Sequence, residues 1–331
     1  MQPSPPAPRA TAPAGPRIGP PARPADPADP FLEPRRTACP WCGGDRLRTR
    51  LRTGDPLRQR PGAFTLDRCD GCGHVFQNPR LSAEGLAFYH RDVYARQLDD
   101  LATRVRTARA VRRHQRAAAY ALSALREPES WLDVGTGLGG FPEAAREFFP
   151  YTSFDGLDPT ARVEQALLEG RVEEAHRGWL STPGTAARLR RRYDVVSLFR
   201  HLQHAPDPRT ELRAALAVLR PGGHLVVELP DPRSAFGALL GAHWPGWGQP
   251  RHLHLIPLDN LCAELEGLGG TVRVIDRARA HVPYDLTGAV LSGPAGMRGL
   301  RGPARLLDAA LAPLARHSAL SNGYRVVARR A

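Results

Sequence analysis

The 331 residues include no lysine: all 46 basic side chains are arginine, against 33 acidic ones, for a formal net charge of +13. An excess built from one residue type, in a chain also heavy in Ala, Pro and Gly, reflects the composition of a GC-rich genome. It counts for little as a nucleic-acid signature. Long apolar runs are missing as well. Nowhere do about 18 apolar residues follow one another, as a membrane-spanning helix requires, and no unbroken apolar stretch reads as a secretory signal. A soluble, cytoplasmic protein is the expectation. Five cysteines in a chain without secretion signals argue against a disulfide scaffold.

Periodicity is lacking at the start. Residues 1–36 hold 12 of the 33 prolines and no repeating apolar pattern, so they cannot bury enough surface to offset the entropy of ordering and are expected to be a disordered tail. What remains is long enough for one large domain and a smaller one.

The chain is organised around Trp131-Leu-Asp-Val-Gly-Thr-Gly-Leu-Gly-Gly-Phe141. A short apolar run ending at Val134 predicts a buried strand, the glycines a tight turn that a ligand approaches closely, and the residues from Pro142 to Phe149 a helix. Gly135, Gly137 and Gly140 fit the spacing of dinucleotide enzymes; Gly135, Gly137 and Gly139 fit that of S-adenosylmethionine (SAM) enzymes. Asp133 decides between them. A carboxylate two positions before the first glycine repels a pyrophosphate but suits the ammonium group of SAM. Asp158, 19 residues after Gly139, closes a second predicted strand and can take both ribose hydroxyls of an adenosine.

Four cysteines form two knuckles, Cys39-Pro-Trp-Cys42 and Cys69-Asp-Gly-Cys72, separated by 26 residues. Each C-x-x-C turn brings two thiolates to one point, and four thiolates match tetrahedral zinc in a structural role, with no open position for chemistry. Disulfides and an iron–sulfur cluster are less favoured. Cys262, in the helical pattern 258–268, reads as an inert core thiol.

The line from Arg68 through Cys69, Cys72, His74 and Asn78 to Arg80, followed by Phe88 to Tyr94, resembles the zinc-ribbon head of a bacterial family of class I SAM-dependent methyltransferases. The resemblance implies an α/β fold with a Rossmann-like, seven-stranded, mostly parallel sheet. On this reading residues 37–80 are the ribbon, 81–126 a helical cap and 127–331 the SAM-binding domain. His74 is expected to be an exposed ribbon residue. Residues 98–126 predict helix, with Arg104, Arg106, Arg109, Arg112, Arg113 and Arg116 reading either as an anion clamp or as a solvated face.

Further strands are predicted at 193–199, 224–229, 271–275 and 324–328, the second of them after an Arg220-Pro-Gly-Gly223 turn common in the family. By resemblance, Trp179 stands where the family usually has an acid beside the adenine. The resemblance also implies that the loop after Phe199 faces the methionine end of SAM and the acceptor, with Gln203 in place of a usual glutamate, His204 retained and His201 added. A base, where the reaction needs one, is then His204 first and His201 second. By the same resemblance, the segment with Arg251, His252 and His254 is expected to lie over the site mouth and to supply candidate acceptor contacts. The apolar-faced helix Leu306 to Leu314 is expected to pack on the sheet.

The implied function is methyl transfer from SAM to a small-molecule acceptor, such as a sugar, lipid-linked or secondary-metabolite intermediate. A nucleic-acid methyltransferase is the main rival, but no Asn-Pro-Pro-Tyr loop is present and few aromatics lie beside the arginine run. Two further rivals are a non-catalytic SAM-binding scaffold, suggested by Gln203, and a nicotinamide oxidoreductase.

Overall fold

The computed structural model describes residues 30–55, 62–90, 101–293 and 295–331, with the side chains at 90, 101–110, 121, 295, 296 and 298 left out. Most of the expected tail, together with Tyr94, therefore lies outside the described residues. Three strands come first, β1 (Leu47–Thr53), β2 (Phe64–Cys69) and β3 (Val75–Gln77), then helices α1 (Ala83–His90) and α2 (Leu101–Leu122). An alternating series follows: β4 (Ser130–Val134), α3 (Gly140–Ala145), β5 (Ser153–Asp158), α4 (Arg162–Leu168) and β6 (Ala175–Arg177). It continues through α5 (Thr185–Arg188), β7 (Tyr193–Phe199), α6 (Pro208–Val218), β8 (Leu219–Pro230) and α7 (Ala235–Leu239). The last elements are β9 (His254–Leu255), α8 (Leu258–Gly267), β10 (Gly270–Asp276), α9 (Asp285–Ser292), α10 (Arg301–Arg316) and β11 (Gly323–Arg330).

Seven strands form one sheet in the order β10-β11-β8-β7-β4-β5-β6. The five from β8 to β6 are parallel and β11 and β10 antiparallel. The chain leaves β4 for β5 and β6 on one side, then crosses to β7 and β8 on the other. That reversal opens a crevice beyond the carboxyl ends of β4 and β7, where open α/β sheets bind ligands.

Strand alternation gives the sheet two faces. Trp131, Phe154, Val195, Val226 and Val327 pack with Ala118, Ala119 and Leu122 of α2 and Phe141, Ala145 and Phe149 around α3. On the other face, Leu132, Val134, Val196, Leu198, Leu225, Val227 and Val326 meet α6, α8 and the ribbon's Cys39, Trp41, Cys69 and Phe76. The ribbon thus shares the main core. Its sheet, β1-β2-β3-β9, is completed by a strand from the far part of the chain.

Three expectations change. His74 is fully buried, stacked among Trp41, Phe76 and His254 at 5.3–5.7 Å between ring centroids; the ribbon needs an aromatic filler where it meets the main domain. Ordered contacts begin before residue 37: Glu33 pairs with Arg80, Arg35 with Asp67 at 2.7 Å, and Leu32 bridges Leu81. In α10, Leu306, Leu307 and Leu314 are exposed while Ala304, Asp308, Ala312 and Ala315 are buried. The inward face is fixed there by Asp308, whose carboxylate accepts the Leu286 and Thr287 N–H groups at 2.9 and 2.8 Å and so caps α9. Among the described residues no helix is long and apolar enough to cross a membrane.

Candidate active site

The glycine loop joins β4 to α3 at the crevice. Gly135 and Thr136 donate to the Leu157 carbonyl at 2.7 and 3.2 Å, which ties the loop to β5. Gly135, Gly137 and Gly139 have φ of +80°, +55° and +71°, the left-handed region that side chains resist. These are the three glycines of the SAM spacing. Gly140 opens α3, where a Cβ would lie 2.8 Å from the terminal amide of Gln115 on α2.

Asp133 sits under this loop, 3% exposed. The Trp131 indole donates to the Ser197 hydroxyl at 2.9 Å, and that hydroxyl donates to Asp133 Oδ1 at 2.6 Å. No arginine salt bridge reaches Asp133 among the described residues. Burial pushes its carboxyl up to about 7, although the Ser197 bond works the other way. A buried carboxylate with no arginine salt bridge among the described residues, beneath a loop of left-handed glycines, suits a ligand ammonium. Asp158 closes the opposite side of the loop. It accepts from Gly137 N at 3.0 Å and from the Thr160 N–H and hydroxyl at 2.9 and 2.5 Å, which leaves it preoriented at the end of β5.

A pH signature follows. Below about pH 7 Asp133 must release its proton before it can hold a cation, so affinity for SAM or S-adenosylhomocysteine is expected to fall by up to about tenfold per pH unit. Asp133→Asn should weaken binding by about 1.5–3 kcal/mol at higher pH and abolish that dependence. Titration calorimetry across the range checks this, and a variant that keeps the wild-type pH profile would sink the assignment.

His201 and His204 separate. His201 is 4% exposed, with Nε2 3.0 Å from Glu211 Oε1 and the Trp179 ring 5.1 Å away. A Cβ on Gly135 would lie 2.6 Å from its Nδ1, so His201 braces the glycine loop from below. Glu211 also accepts the Leu180 and Ser181 N–H groups at 3.0 and 2.9 Å. Burial works against its charge, yet the His201 and Ser181 bonds hold it below the usual carboxylate range. Trp179 is half-buried against this brace.

His204 lies nearer the surface, with Nδ1 3.0 Å from the Arg251 carbonyl and its ring 5.0 Å from that of His252. The Leu253 N–H donates to the Gln203 carbonyl at 2.7 Å, which seats the 251–253 segment on the loop after β7. Gln203 donates its amide to the Arg200 carbonyl at 2.7 Å, and its buried Oε1 has no partner among the described residues. The structure therefore brings His204, Arg251 and His252 together. His254 is not with them: on β9 it pairs with Phe76, and its Nδ1 lies 3.1 Å from His74 Nε2. Burial, reinforced by the positive Arg80, pushes it down to about 3. The β3–β9 pairing turns it into the ribbon, whereas His252, which precedes the strand, packs against His204.

The sequence reading missed a cluster on the α2 face. Glu228 of β8 is 1% exposed; its Oε1 lies 2.8 Å from His114 Nε2, and its Oε2 accepts from Arg325 Nε and NH2 at 3.1 and 2.6 Å. Arg200 Nε lies 3.5 Å from Oε1. Burial pushes the Glu228 carboxyl up, but His114, Arg325 and Arg200 outweigh it and hold it well below the usual range. One signal was available: a glutamate and an arginine interrupt the apolar runs of the strands 224–229 and 324–328.

The four ribbon thiols converge, with Cys39 and Cys72 sulfurs 3.7 Å apart, Cys42 and Cys69 sulfurs 3.6 Å apart, and all four within 4.8 Å. Tetrahedral zinc with bonds of about 2.3 Å sets its sulfurs roughly 3.8 Å apart, so the donor set and its dimensions fit that ion. A second group, Asp155, Glu174 and His176, is already served by the Arg192 guanidinium, which contacts both carboxylates. Cys262 is half-buried on α8 beside the main core. Of the arginine run, Arg112, Arg113 and Arg116 are exposed on α2; the side chains of Arg104, Arg106 and Arg109 lie outside the described residues.

A family model described as a methyltransferase domain matches residues 101–273. The ubiquinone biosynthesis O-methyltransferase of Pseudomonas entomophila (strain L48) is 31% identical over 127 residues, covering 37% of this chain and 54% of that protein. Its counterpart from Cronobacter sakazakii (strain ATCC BAA-894) is 38% identical over 117 residues, covering 34% and 48%. The chain thus spans about half the length of the curated relatives it matches. Among solved structures, an O-methyltransferase family protein from Burkholderia thailandensis has a TM-score of 0.46 at 15% identity, covering 74% of this chain and 63% of that one. A SAM-dependent methyltransferase from Archaeoglobus fulgidus has a TM-score of 0.44 at 17% identity, covering 67% and 94%.

Proposed function

Because the chain belongs to the class I SAM-dependent methyltransferases, we propose that it transfers the methyl group of SAM to a small-molecule acceptor. The carrying observation is the buried Asp133 carboxylate, with no arginine salt bridge among the described residues, beneath three left-handed glycines at the switch point of the sheet. Asp133 would hold the ammonium group, Asp158 the ribose hydroxyls and Trp179 the adenine side; the sulfonium, when bound, supplies an activated methyl group for in-line displacement.

This chain's own task is alignment and exclusion of water. His201 and Glu211 fix the loop after β7 against the glycine loop. His204 takes the proton where the acceptor is a hydroxyl, with its Nδ1 side held at the Arg251 carbonyl and His252 beside it. Arg251 and His252 line the acceptor side, whereas His254 supports the ribbon. The four cysteines hold zinc in a structural role. The relatives' names, which assign them O-methylation in ubiquinone biosynthesis, favour a small acceptor over a nucleic acid. The exposed arginines of α2 read as a solvated face.

Calorimetric titration of the purified protein with S-adenosylhomocysteine, NAD and NADP tests the reading. Micromolar binding of the first alone is expected; binding of a nicotinamide cofactor in its place would overturn it.

A further inference from the structure

We propose that the arginines gathered on Glu228 recognise an anionic group, a carboxylate or a phosphate, on the acceptor. The inference rests on the methyltransferase reading, to which it adds a substrate class.

Position comes first. Across the sheet in the order β5, β4, β7, β8, the ribose-binding Asp158 stands on β5 and Asp133 on β4, hydrogen-bonded to Ser197 on β7. The adenosine end of the cofactor therefore lies toward β5, and the acceptor comes over β7 and β8. Asp133, Ser197, Phe199, Glu228 and Arg325 alternate onto the same face, the one covered by α2 and α3, where Phe199 packs 4.4 Å from Phe141 at the glycine loop. Gln115, next to His114, touches that loop at Gly140.

Charge comes next. One carboxylate serves two guanidiniums and an imidazole. With His114 neutral the group carries one positive charge in excess, and with His114 charged it carries two. The Arg325 side chain is 2% exposed, lies over the Phe199 ring at 5.7 Å and keeps a buried NH1 without a partner among the described residues. Arg200 likewise keeps a buried, unpartnered NH2, while 37% of its side chain remains open to solvent. The neighbouring carboxylates are engaged: Asp231 pairs with Arg277 at 2.5 Å, and Asp285 accepts from Trp244 and Asn322 at 2.6 Å each.

Arg200 is also held in place. Its φ is +51°, its N–H donates to the Glu228 carbonyl at 2.9 Å, and its carbonyl accepts from Gln203 at 2.7 Å. The loop that carries His204 therefore fixes this guanidinium at the carboxyl end of β7. Two free donors on guanidiniums anchored to one carboxylate, with excess positive charge, are complementary to an anion with two or more oxygens. A neutral acceptor leaves both donors unpaired.

The test uses benzoate, its neutral analogue benzamide and inorganic phosphate, titrated calorimetrically into the protein both saturated with S-adenosylhomocysteine and unliganded. Arg200→Asn removes the guanidinium with a residue that tolerates the left-handed backbone. Arg200→Lys keeps the charge, and Arg279→Gln controls for net charge. Saturable binding of benzoate or phosphate is expected, about tenfold weaker in Arg200→Asn and unchanged in Arg279→Gln, with benzamide failing to bind. Benzoate alone points to a carboxylate acceptor and phosphate alone to a phosphorylated one. Equal binding of benzamide, no saturable anion binding, or undiminished binding in an Arg200→Asn variant that still takes up S-adenosylhomocysteine would each overturn the proposal; should that variant not fold, Arg200→Lys, which keeps the charge but loses the guanidinium donors, is expected to bind the anions several-fold more weakly than the wild type, and undiminished binding overturns the proposal. Failure of the wild type to bind S-adenosylhomocysteine refutes the methyltransferase reading and leaves the anion titration of the unliganded protein to decide this one.

Discussion

Removing zinc with a chelator is expected to unfold the whole chain in one transition rather than release a small appendage. A structural four-thiolate site contributes about 10–16 kcal/mol of folding free energy, whereas a domain's entire net stability is about 5–15 kcal/mol. The reason for a global effect is packing. Trp41, Cys69 and Phe76 belong to the same core as Leu198, Leu202 and Leu212, and Arg209 donates to the Trp41 carbonyl at 3.0 Å. The β3–β9 pairing also joins the ribbon to the chain two residues beyond His252, so losing the metal should cost S-adenosylhomocysteine binding too. Metal analysis is expected to find about one zinc per chain, and Cys69→Ser should mimic chelation. A zinc-free sample with an unchanged thermal midpoint, or one that still binds S-adenosylhomocysteine, contradicts this account.

Replacing Glu228 by Ala is expected to destabilise the protein by about 3–5 kcal/mol, since it strands the buried Arg325 guanidinium without its carboxylate. Joint replacement, Glu228→Leu with Arg325→Met, should recover much of that loss, because it removes both charges and their desolvation together. Equilibrium chemical denaturation of the three variants gives the comparison. The pH dependence has a definite sign: Glu228 is held below its ordinary value in the folded state, so its contribution is present above an unfolded carboxyl's value of about 4.3 and fades as the pH falls below it. The deficit of Glu228→Ala should therefore shrink in acid. A single replacement that is neutral at pH 7 would mean that Arg325 finds another partner.

The same pair shows what a strand pattern leaves out. Residues 224–229 and 324–328 are legible as buried strands, and a glutamate and an arginine inside them stand out. Only the antiparallel register that sets Arg325 opposite Glu228, with α2 laid across the face, shows that they meet each other and His114. His252 and His254 give the same lesson in two residues: on the sequence they are one motif, but the β9 pairing places them in different environments.

The sequence by itself determined the strand, glycine turn and helix around Asp133, an acid closing the second strand at Asp158 and the pairing of cysteines into two knuckles. Each of these rests on short-range rules: torsions that only glycine adopts readily, two thiolates brought together by one turn, apolar runs of strand length. Tertiary structure alone decided that the ribbon is part of the main core and that His74 and His254 are buried between them. It also decided that His201 braces a loop while His204 faces Arg251 and His252, and that residues 114, 200, 228 and 325 form one charged cluster. Those outcomes depend on register and on which faces are covered, where the desolvation of a polar side chain must be met by partners that no local spacing specifies.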